Sequence, residues 1–266
     1  MKLFRLTFLP MVAAIIGLTL AFSAGAAEKP APMTANDLAS RLSSFRQNGT
    51  SYVRLRMEIK GATKETLQLQ IKERWTKSSS EVVYQVLYPK ERKGESVLLR
   101  KMGDSPASGS VFMPPNTVRA IDDLKKPLLG SDLSYEDVVD NFFAWNQQTL
   151  VGDGEVEGAK CQILESKPGK GEHSSYGSVR SWIDVQRLVP LRVEKYDSSG
   201  RLLRRIDTID VITDAGHHIP ATLVIRGARE DSSTRLAGSR IRHDVSLTDR
   251  DFTVEGLKEI AAPDKP

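Results

Sequence analysis

The stretch that decides the fold is Gly130-Ser131-Asp132-Leu133-Ser134-Tyr135-Glu136-Asp137-Val138, near the middle of the chain. Ser134 can act as a helix N-cap, and Asp137 three residues later completes a capping box. Acidic side chains in the first turn also suit the helix dipole. We therefore predict a helix of about three turns that begins here. Its apolar surface is formed by Val138, Val139, Phe142, Phe143 and Trp145.

Two roles are open to this helix on local grounds. It could cover the open side of a sheet, or it could be an ordinary crossover helix packed on a core. Extended segments precede it, at residues 112–115 and 119–121. Neither segment decides between the two roles.

The N-terminus reads as an export signal. Lys2 and Arg5 precede an apolar run at residues 6–22, and small residues follow at 24–26. We expect cleavage after residue 26, with residues 27–266 forming a single domain in the periplasm. A membrane anchor is the alternative, but Pro10 and Gly17 interrupt the apolar run.

Charge and cysteine content argue against a nucleic-acid-binding protein and against a fold held by internal disulfides. Cleavage would remove Lys2 and Arg5 from the 38 basic residues and none of the 34 acidic ones, which leaves a nearly neutral chain. Nucleic-acid binding needs a concentrated basic surface, so we expect no nucleic-acid partner. The lone Cys161 allows no internal disulfide and is predicted to be a buried thiol in a strand.

Most of the remaining chain alternates between apolar and polar residues, which predicts antiparallel strands with one buried face. The clearest cases are residues 53–60 and 67–72. Short helices are predicted at both ends, over residues 34–45 with Thr34 or Asn36 as cap, and from Asp251 with Leu257 and Ile260 inward. Further strands are predicted at residues 81–88, 96–101, 109–113, 148–151, 161–166, 178–184, 190–196, 201–211, 219–226 and 235–247.

The chain resembles the LolA-like superfamily, and within it the outer-membrane lipoprotein-sorting protein family. Residues 130–137 are similar to the family's G-S/T-D-F-S-Y-E-D signature, with Leu133 in place of Phe. Residues 112–121 are similar to its L-P…R-R-I segment, with a single Arg119. Residues 182–200 are similar to its W-I-D…P-L-K…Y-D-x-x-G hairpin.

This resemblance implies a mainly β, α+β fold: a curved, half-open antiparallel β-barrel with a helical lid over an apolar cavity. The inward faces of the predicted strands supply candidates for the cavity lining, namely Val53, Leu55, Met57, Ile59, Leu67, Leu69, Ile71, Trp75 and Phe112. The candidate lid and signature residues are Arg119, Ser131, Asp132, Leu133, Tyr135, Val138 and Phe142.

The resemblance also implies a function. Such a protein carries acyl chains of lipoproteins or lipids through the periplasm toward the outer membrane. Its partners would be the acylated cargo, an inner-membrane transporter as donor and an outer-membrane acceptor. We expect a monomer.

Catalytic and metal-binding motifs are missing from the sequence. His173, His217 and His218 are expected to be exposed, and His243 to be a satisfied core residue. No metal-ligand spacing, nucleophile elbow or phosphate loop occurs, so we expect no metal, cofactor or enzymatic activity. The alternative is an exported cell-wall glycan hydrolase that uses the clustered carboxylates of Asp132, Glu136 and Asp137.

Overall fold

One large antiparallel sheet dominates the part of the chain that the structure describes. The computed structural model describes residues 33–44, 49–103, 105–214, 216–227, 231–260 and 262. The predicted signal peptide (residues 1–26), residues 27–32 and Phe45 lie outside these residues. The strands are β1 (Gly49–Lys60), β2 (Lys64–Trp75), β3 (Ser79–Tyr88), β4 (Ser96–Met102), β5 (Ser108–Met113), β6 (Thr117–Ala120), β7 (Gln147–Val156), β8 (Ala159–Lys167), β9 (Ser178–Asp184), β10 (Val189–Tyr196), β11 (Leu202–Asp214), β12 (His217–Arg226) and β13 (Ser233–His243).

The sheet consists of two meanders, and the pairing of the first strand, β1, with the last strand, β13, joins them. Across the described residues the order is β6-β5-β4-β3-β2-β1-β13-β12-β11-β10-β9-β8-β7. All neighbouring pairs are antiparallel, as the alternating patterns predicted, and β1 lies between β2 and β13. Strands β6 and β7 lie at opposite edges, so the sheet is open rather than closed into a barrel.

Three short α-helices accompany the sheet in the described residues: α1 (Ala35–Ser44), α2 (Tyr135–Val139) and α3 (Val254–Leu257). Helix α1 begins as predicted, because Thr34 Oγ1 accepts a hydrogen bond from the Asp37 N–H at 3.1 Å. Its buried Leu38 and Leu42 pack on Leu164 and Ile183 and cover part of the second meander. No described helix has the length and apolar character needed to cross a membrane.

The position of α2 follows from the strand order. Strands β6 and β7 are consecutive in the chain but lie at opposite edges of the sheet. The connection between them (residues 121–146, here the crossing segment) must therefore pass over one face. Helix α2 contacts β3 and β4 on the way. In the main core, residues of the crossing segment pack against buried side chains of β1 and β2, including Leu128, Leu133, Val139, Met57 and Leu69.

The predicted three-turn helix is wrong in its length. Helix α2 has five residues and ends at Val139, because Asp140 adopts an extended conformation with φ −89° and ψ 144°. The Asp140 carboxylate accepts hydrogen bonds from the Asn141 N–H at 3.0 Å and from Lys101 Nζ at 2.7 Å. A side chain that binds the neighbouring backbone competes with the helix in this way. A 3₁₀ turn at Phe142–Ala144 follows.

The C-terminal segment packs on the outer face of the sheet. Its contacts show that one residue predicted to line the cavity lies on this outer face instead. Phe252 and Leu257 are fully buried against Phe112 of β5. Val111, next to it, packs instead against the main core on the inner face. Since successive side chains of a strand point to opposite faces, Phe112 lies outside the cavity.

Two smaller features agree with the sequence. Cys161 is buried in β8, where burial raises the pKa of its thiol. The turn between β10 and β11 forms at residues 197–200, where Gly200 has φ 82° and Asp197 Oδ1 accepts the N–H groups of Ser199 and Arg201 at 2.9 Å each.

Candidate functional site

A cavity of about 400 Å³ lies between α2 and the inner face of the sheet. Ligand pockets in proteins typically measure about 300–1,000 Å³. The floor is apolar and is drawn from β1, β11, β12, β13 and the crossing segment: Val53, Leu133, Val138, Ile206, Ile219, Leu223, Ile225, Leu236 and Ile241. Space lined by such side chains suits an apolar ligand.

The open end of the cavity is polar. Ser51, Glu73, Trp75 and His243 lie there, and Ser51 Oγ donates to Glu73 Oε2 at 2.7 Å. The prediction that His243 is a core residue is wrong. Its side chain is 48% exposed at the end of β13, and its Nε2 lies 2.5 Å from Asp214 Oδ2. His217 and His218 are exposed, as predicted, and they begin β12.

The other side of α2 is fixed by a capping box. The Asp137 N–H donates to Ser134 Oγ at 3.2 Å, and the Ser134 N–H donates to Asp137 Oδ2 at 2.7 Å. This is the arrangement predicted from sequence spacing. It satisfies two backbone donors at the start of a very short helix.

Asp137 is also the centre of a buried charge cluster, which we define as Asp137, Lys195, Arg204 and Tyr176. The Asp137 side chain has no exposed surface. Its Oδ1 accepts from Lys195 Nζ at 2.8 Å and from the Tyr176 hydroxyl at 2.7 Å. Its Oδ2 accepts from Arg204 Nη1. Both oxygens of the carboxylate thus accept hydrogen bonds, from Lys195 and Tyr176 on one and from Arg204 and the capping box on the other.

The electrostatics of the cluster favour the ionised carboxylate. Burial alone would raise the pKa of Asp137, but Lys195 and Arg204 outweigh it and lower the pKa to about 2. Burial, and then the charge of Asp137, raises the pKa of Tyr176 above its ordinary value. Tyr176 therefore stays a neutral hydroxyl that donates to Asp137.

The two other acidic residues of the signature also have structural partners. Glu136 Oε1 accepts from Ser174 Oγ at 2.6 Å and from the Ser175 N–H at 2.8 Å. Asp132 Oδ2 accepts from Thr234 Oγ1 at 2.8 Å. These contacts tie the crossing segment to a loop and to β13, and they account for the carboxylates that the hydrolase alternative would use.

The predicted lining residues separate into three groups. Val53 and Trp75 line the cavity. Phe112 lies on the outer face, as described above. The remaining six belong to the main core on the same face as the cavity, largely beneath the crossing segment: Leu55, Met57, Ile59, Leu67, Leu69 and Ile71.

The predicted signature residues are also divided. Leu133 and Val138 line the cavity, and Ser131 and Asp132 are buried. Tyr135 packs against the main core, and Phe142 lies under Lys195 Nζ, 5.3 Å from the ring centre. Arg119 is exposed on the edge strand β6, outside the cavity lining.

Sequence reasoning missed the contribution of the C-terminal strands to the cavity. Leu223, Leu236 and Ile241 line it, although residues 219–226 and 235–247 were recognised only as strands. Their alternation was visible in the sequence. The signal that could have found them is the pairing of β1 with β13, which places Val53 opposite Ile241.

A second, smaller cavity of about 230 Å³ lies beyond Trp75, which lines both. It is bounded by the β2–β3 turn and by the crossing segment after α2. Lys101 lines it and pairs with Asp140. Among the described residues, no three His, Cys, Asp or Glu side chains converge as metal ligands.

Comparison with known proteins places this geometry in a known fold. A family model described as "uncharacterized protein" matches residues 78–259. No curated protein matches the sequence. A DUF1329 family protein from Desulfovibrio piger is 24% identical and superposes with a TM-score of 0.77, over 84% of this chain and 97% of that one.

Two further solved structures carry the name of the resembled superfamily or its sorting function. A proposed outer membrane lipoprotein-sorting protein domain from Vibrio parahaemolyticus is 21% identical, with a TM-score of 0.75 over 85% of this chain and 98% of that one. A LolA superfamily protein from Nitrosomonas europaea is 18% identical, with a TM-score of 0.68 over 85% of this chain and 100% of that one. The predicted LolA-like, half-open antiparallel fold is confirmed.

Proposed function

Because the chain belongs to the family matched over residues 78–259 and has a LolA-like fold, we propose that it carries acyl chains through the periplasm. The cargo would be an acylated lipoprotein or a lipid, held non-enzymatically in the cavity between α2 and the sheet. The donor would be an inner-membrane transporter and the destination the outer membrane. Two similar structures support the cargo class, because their names refer to lipoprotein sorting and to the LolA superfamily.

The single observation that carries this proposal is the apolar floor of the cavity. It is built from several strands at once, and most of its side chains pack in or against the main core while also bordering the cavity. An acyl chain is the simplest ligand for such a surface, because it needs no polar partner along its length. Burying about ten methylene groups at about 0.8 kcal/mol each would give about 8 kcal/mol before the costs of association.

The chemistry of the signature carboxylates supports binding rather than hydrolysis. Asp137 is held ionised by Lys195 and Arg204, whereas a general acid needs a raised pKa. Glu136 and Asp132 accept hydrogen bonds from serine and threonine side chains. Their contacts hold the crossing segment in place above the cavity.

Filling the cavity with a side chain tests the proposal. In Val53→Trp an indole would occupy the floor, and we expect the affinity for a fluorescent dansyl-dodecylamide to fall at least about tenfold, a loss of 1.4 kcal/mol. The matched control is Val151→Trp on the edge strand β7, where Val151 is 46% exposed and outside the cavity lining. This variant should bind the probe as the wild type does. Probe binding that survives Val53→Trp in a folded protein would contradict the proposed site.

A further inference from the structure

The charged groups that line the cavity are mainly acidic. Among the described residues the ionisable groups are Glu73, Asp137, His243 and the neutral phenol of Tyr84, with neither lysine nor arginine in the lining. Of the two carboxylates, that of Glu73 is partly exposed, whereas the Asp137 side chain has no exposed surface. Which of them carries an uncompensated negative charge determines what the polar end of a ligand meets.

The negative charge of Asp137 is compensated by two neighbouring cations. Lys195 and Arg204 pair with its two oxygens and are themselves 3% and 15% exposed. The carboxylate also accepts from Tyr176 and from the capping box. It is a saturated group and offers little to a ligand.

Glu73 is different. Its one hydrogen-bond partner in the described part of the chain is the neutral Ser51 hydroxyl across the β1–β2 pair, and no cation there pairs with it. Its chain neighbours Lys72 and Arg74 point to the other face, where Lys72 binds Asp251 and Arg74 binds Glu81 and Asp249. Strand alternation thus removes the adjacent positive charges from the cavity.

The other charged groups near the open end do not neutralise Glu73. His243, across β1 from it, faces Asp214 at 2.5 Å, so the pair adds no net positive charge. Arg242 lies over the Tyr52 ring on the outer face. Lys101, in the second cavity, pairs with Asp140. The open end is consequently an acceptor-rich, negatively charged rim above an apolar floor.

We propose that this rim selects acyl ligands whose polar end carries a nitrogen-bound hydrogen, as in an amide or an ammonium group, over free fatty acid anions. With the acyl chain on the floor, the polar end lies beside Glu73. An N–H donor can bind the free oxygen of Glu73, whereas a carboxylate offers only acceptors and meets a like charge. Glu73 is then the residue that determines specificity. This inference rests on the proposed acyl-carrier function.

Three ligands with the same alkyl chain test it: dodecylamine, dodecanamide and dodecanoate. Each competes with dansyl-dodecylamide for the full mature chain at pH 7. We expect the amine and the amide to bind at least about tenfold more tightly than dodecanoate, the ratio that corresponds to 1.4 kcal/mol. Equal affinities for all three would overturn the selectivity but leave the carrier function standing. Failure of all three to bind would overturn both.

The substitution Glu73→Gln assigns the selectivity to its residue. Removing the charge should bring dodecanoate to within about threefold of dodecanamide, a difference of under about 1 kcal/mol. The matched control is Glu58→Gln on the outer face of β1, where Glu58 pairs with Arg56. That variant should keep the wild-type preference. A tenfold preference that persists in Glu73→Gln would refute the role of Glu73.

Discussion

The two sides of α2 have opposite character. On one side Asp137 is fully buried and ion-paired with Lys195 and Arg204. On the other side Leu133 and Val138 border the apolar floor of the cavity. The first side is saturated with polar contacts, and the second has room for a ligand.

This difference indicates how a very short helix can stay in place beside an open space. A helix of five residues has no stability of its own in water. Packing alone cannot hold it, since one face borders the cavity. The capping box and the buried charge cluster supply the missing contacts, so the cavity side need not be filled for the segment to be ordered.

The largest expected effect comes from breaking the charged side. Asp137→Asn leaves Lys195 and Arg204 buried without their counter-charge, and loss of one partner from such a pair costs about 3–5 kcal/mol. Urea unfolding of residues 27–266, the predicted mature chain, measures this loss. The control is Asp249→Asn, because Asp249 is 95% exposed and pairs with Arg74 at the surface. A control change within about 0.5 kcal/mol is expected. Equal effects of the two substitutions would contradict the assigned role of the cluster.

The same cluster predicts a dependence of stability on pH. The pKa of Asp137 is lowered from 3.8 to about 2 in the folded protein. Its contribution is therefore fully present above about pH 4 and is lost as the pH falls toward 2, by about 2 kcal/mol. Unfolding free energies of wild type and Asp137→Asn should converge by that amount between pH 6 and pH 2. A constant difference between them over this range would show that the ionised carboxylate is not what Lys195 and Arg204 stabilise.

A pair of valines compares the two sides directly. Val139 is buried in the main core, and Val139→Ala should cost about 2 kcal/mol, the transfer of two methyl-sized groups plus the cavity left behind. Val138 borders the cavity, so Val138→Ala should cost less than about 1 kcal/mol because its exposed part loses no contacts. Thermal or urea unfolding gives both values. The comparison between the two sides fails if Val138→Ala is the more destabilising change.

The last comparison concerns the cap of α2. Ser134→Ala should lower the unfolding free energy by about 1–2 kcal/mol, because the hydroxyl caps α2 and also accepts from Arg204. Thr248→Ala removes an exposed hydroxyl that donates to Asp251 Oδ2 at 3.0 Å at the start of the 3₁₀ turn Asp249–Phe252, and it should cost about 0.5 kcal/mol. Urea unfolding under identical conditions compares them. A larger loss for Thr248→Ala would mean that the Ser134 cap adds nothing to the charge cluster.

Local features of the fold were predictable from the sequence. Alternation located most strands within a few residues, although β6 was not predicted as a strand and β7 extends to Val156, well past residue 151. The spacing of Ser134 and Asp137 located the start of α2, because it depends on neighbouring residues. The end of α2 was missed because the Asp140 side chain binds Lys101, a residue 39 positions away. Phe112 was wrongly predicted to point into the cavity. Its partner Phe252 lies far away in the sequence, in the C-terminal turn, so the outward contact could not be read from β5 alone.

The site itself was only partly predictable, because long-range pairing creates it. Lys195 and Arg204 contact Asp137 although they lie 58 and 67 residues away in the sequence, and no local sequence pattern predicts such contacts. The C-terminal lining of the cavity depends in the same way on β13 pairing with β1. Sequence patterns give the faces of individual strands, whereas the strand order determines which faces enclose the cavity.

The most direct test of the acyl-carrier account is native mass spectrometry, combined with organic extraction, of the mature chain purified from the periplasm of a producing bacterium. The account predicts a bound acyl-containing molecule on the wild type, and its loss from Val53→Trp but not from Val151→Trp. Wild-type protein that emerges empty, and that takes up no added dodecanamide or dansyl-dodecylamide, would contradict it.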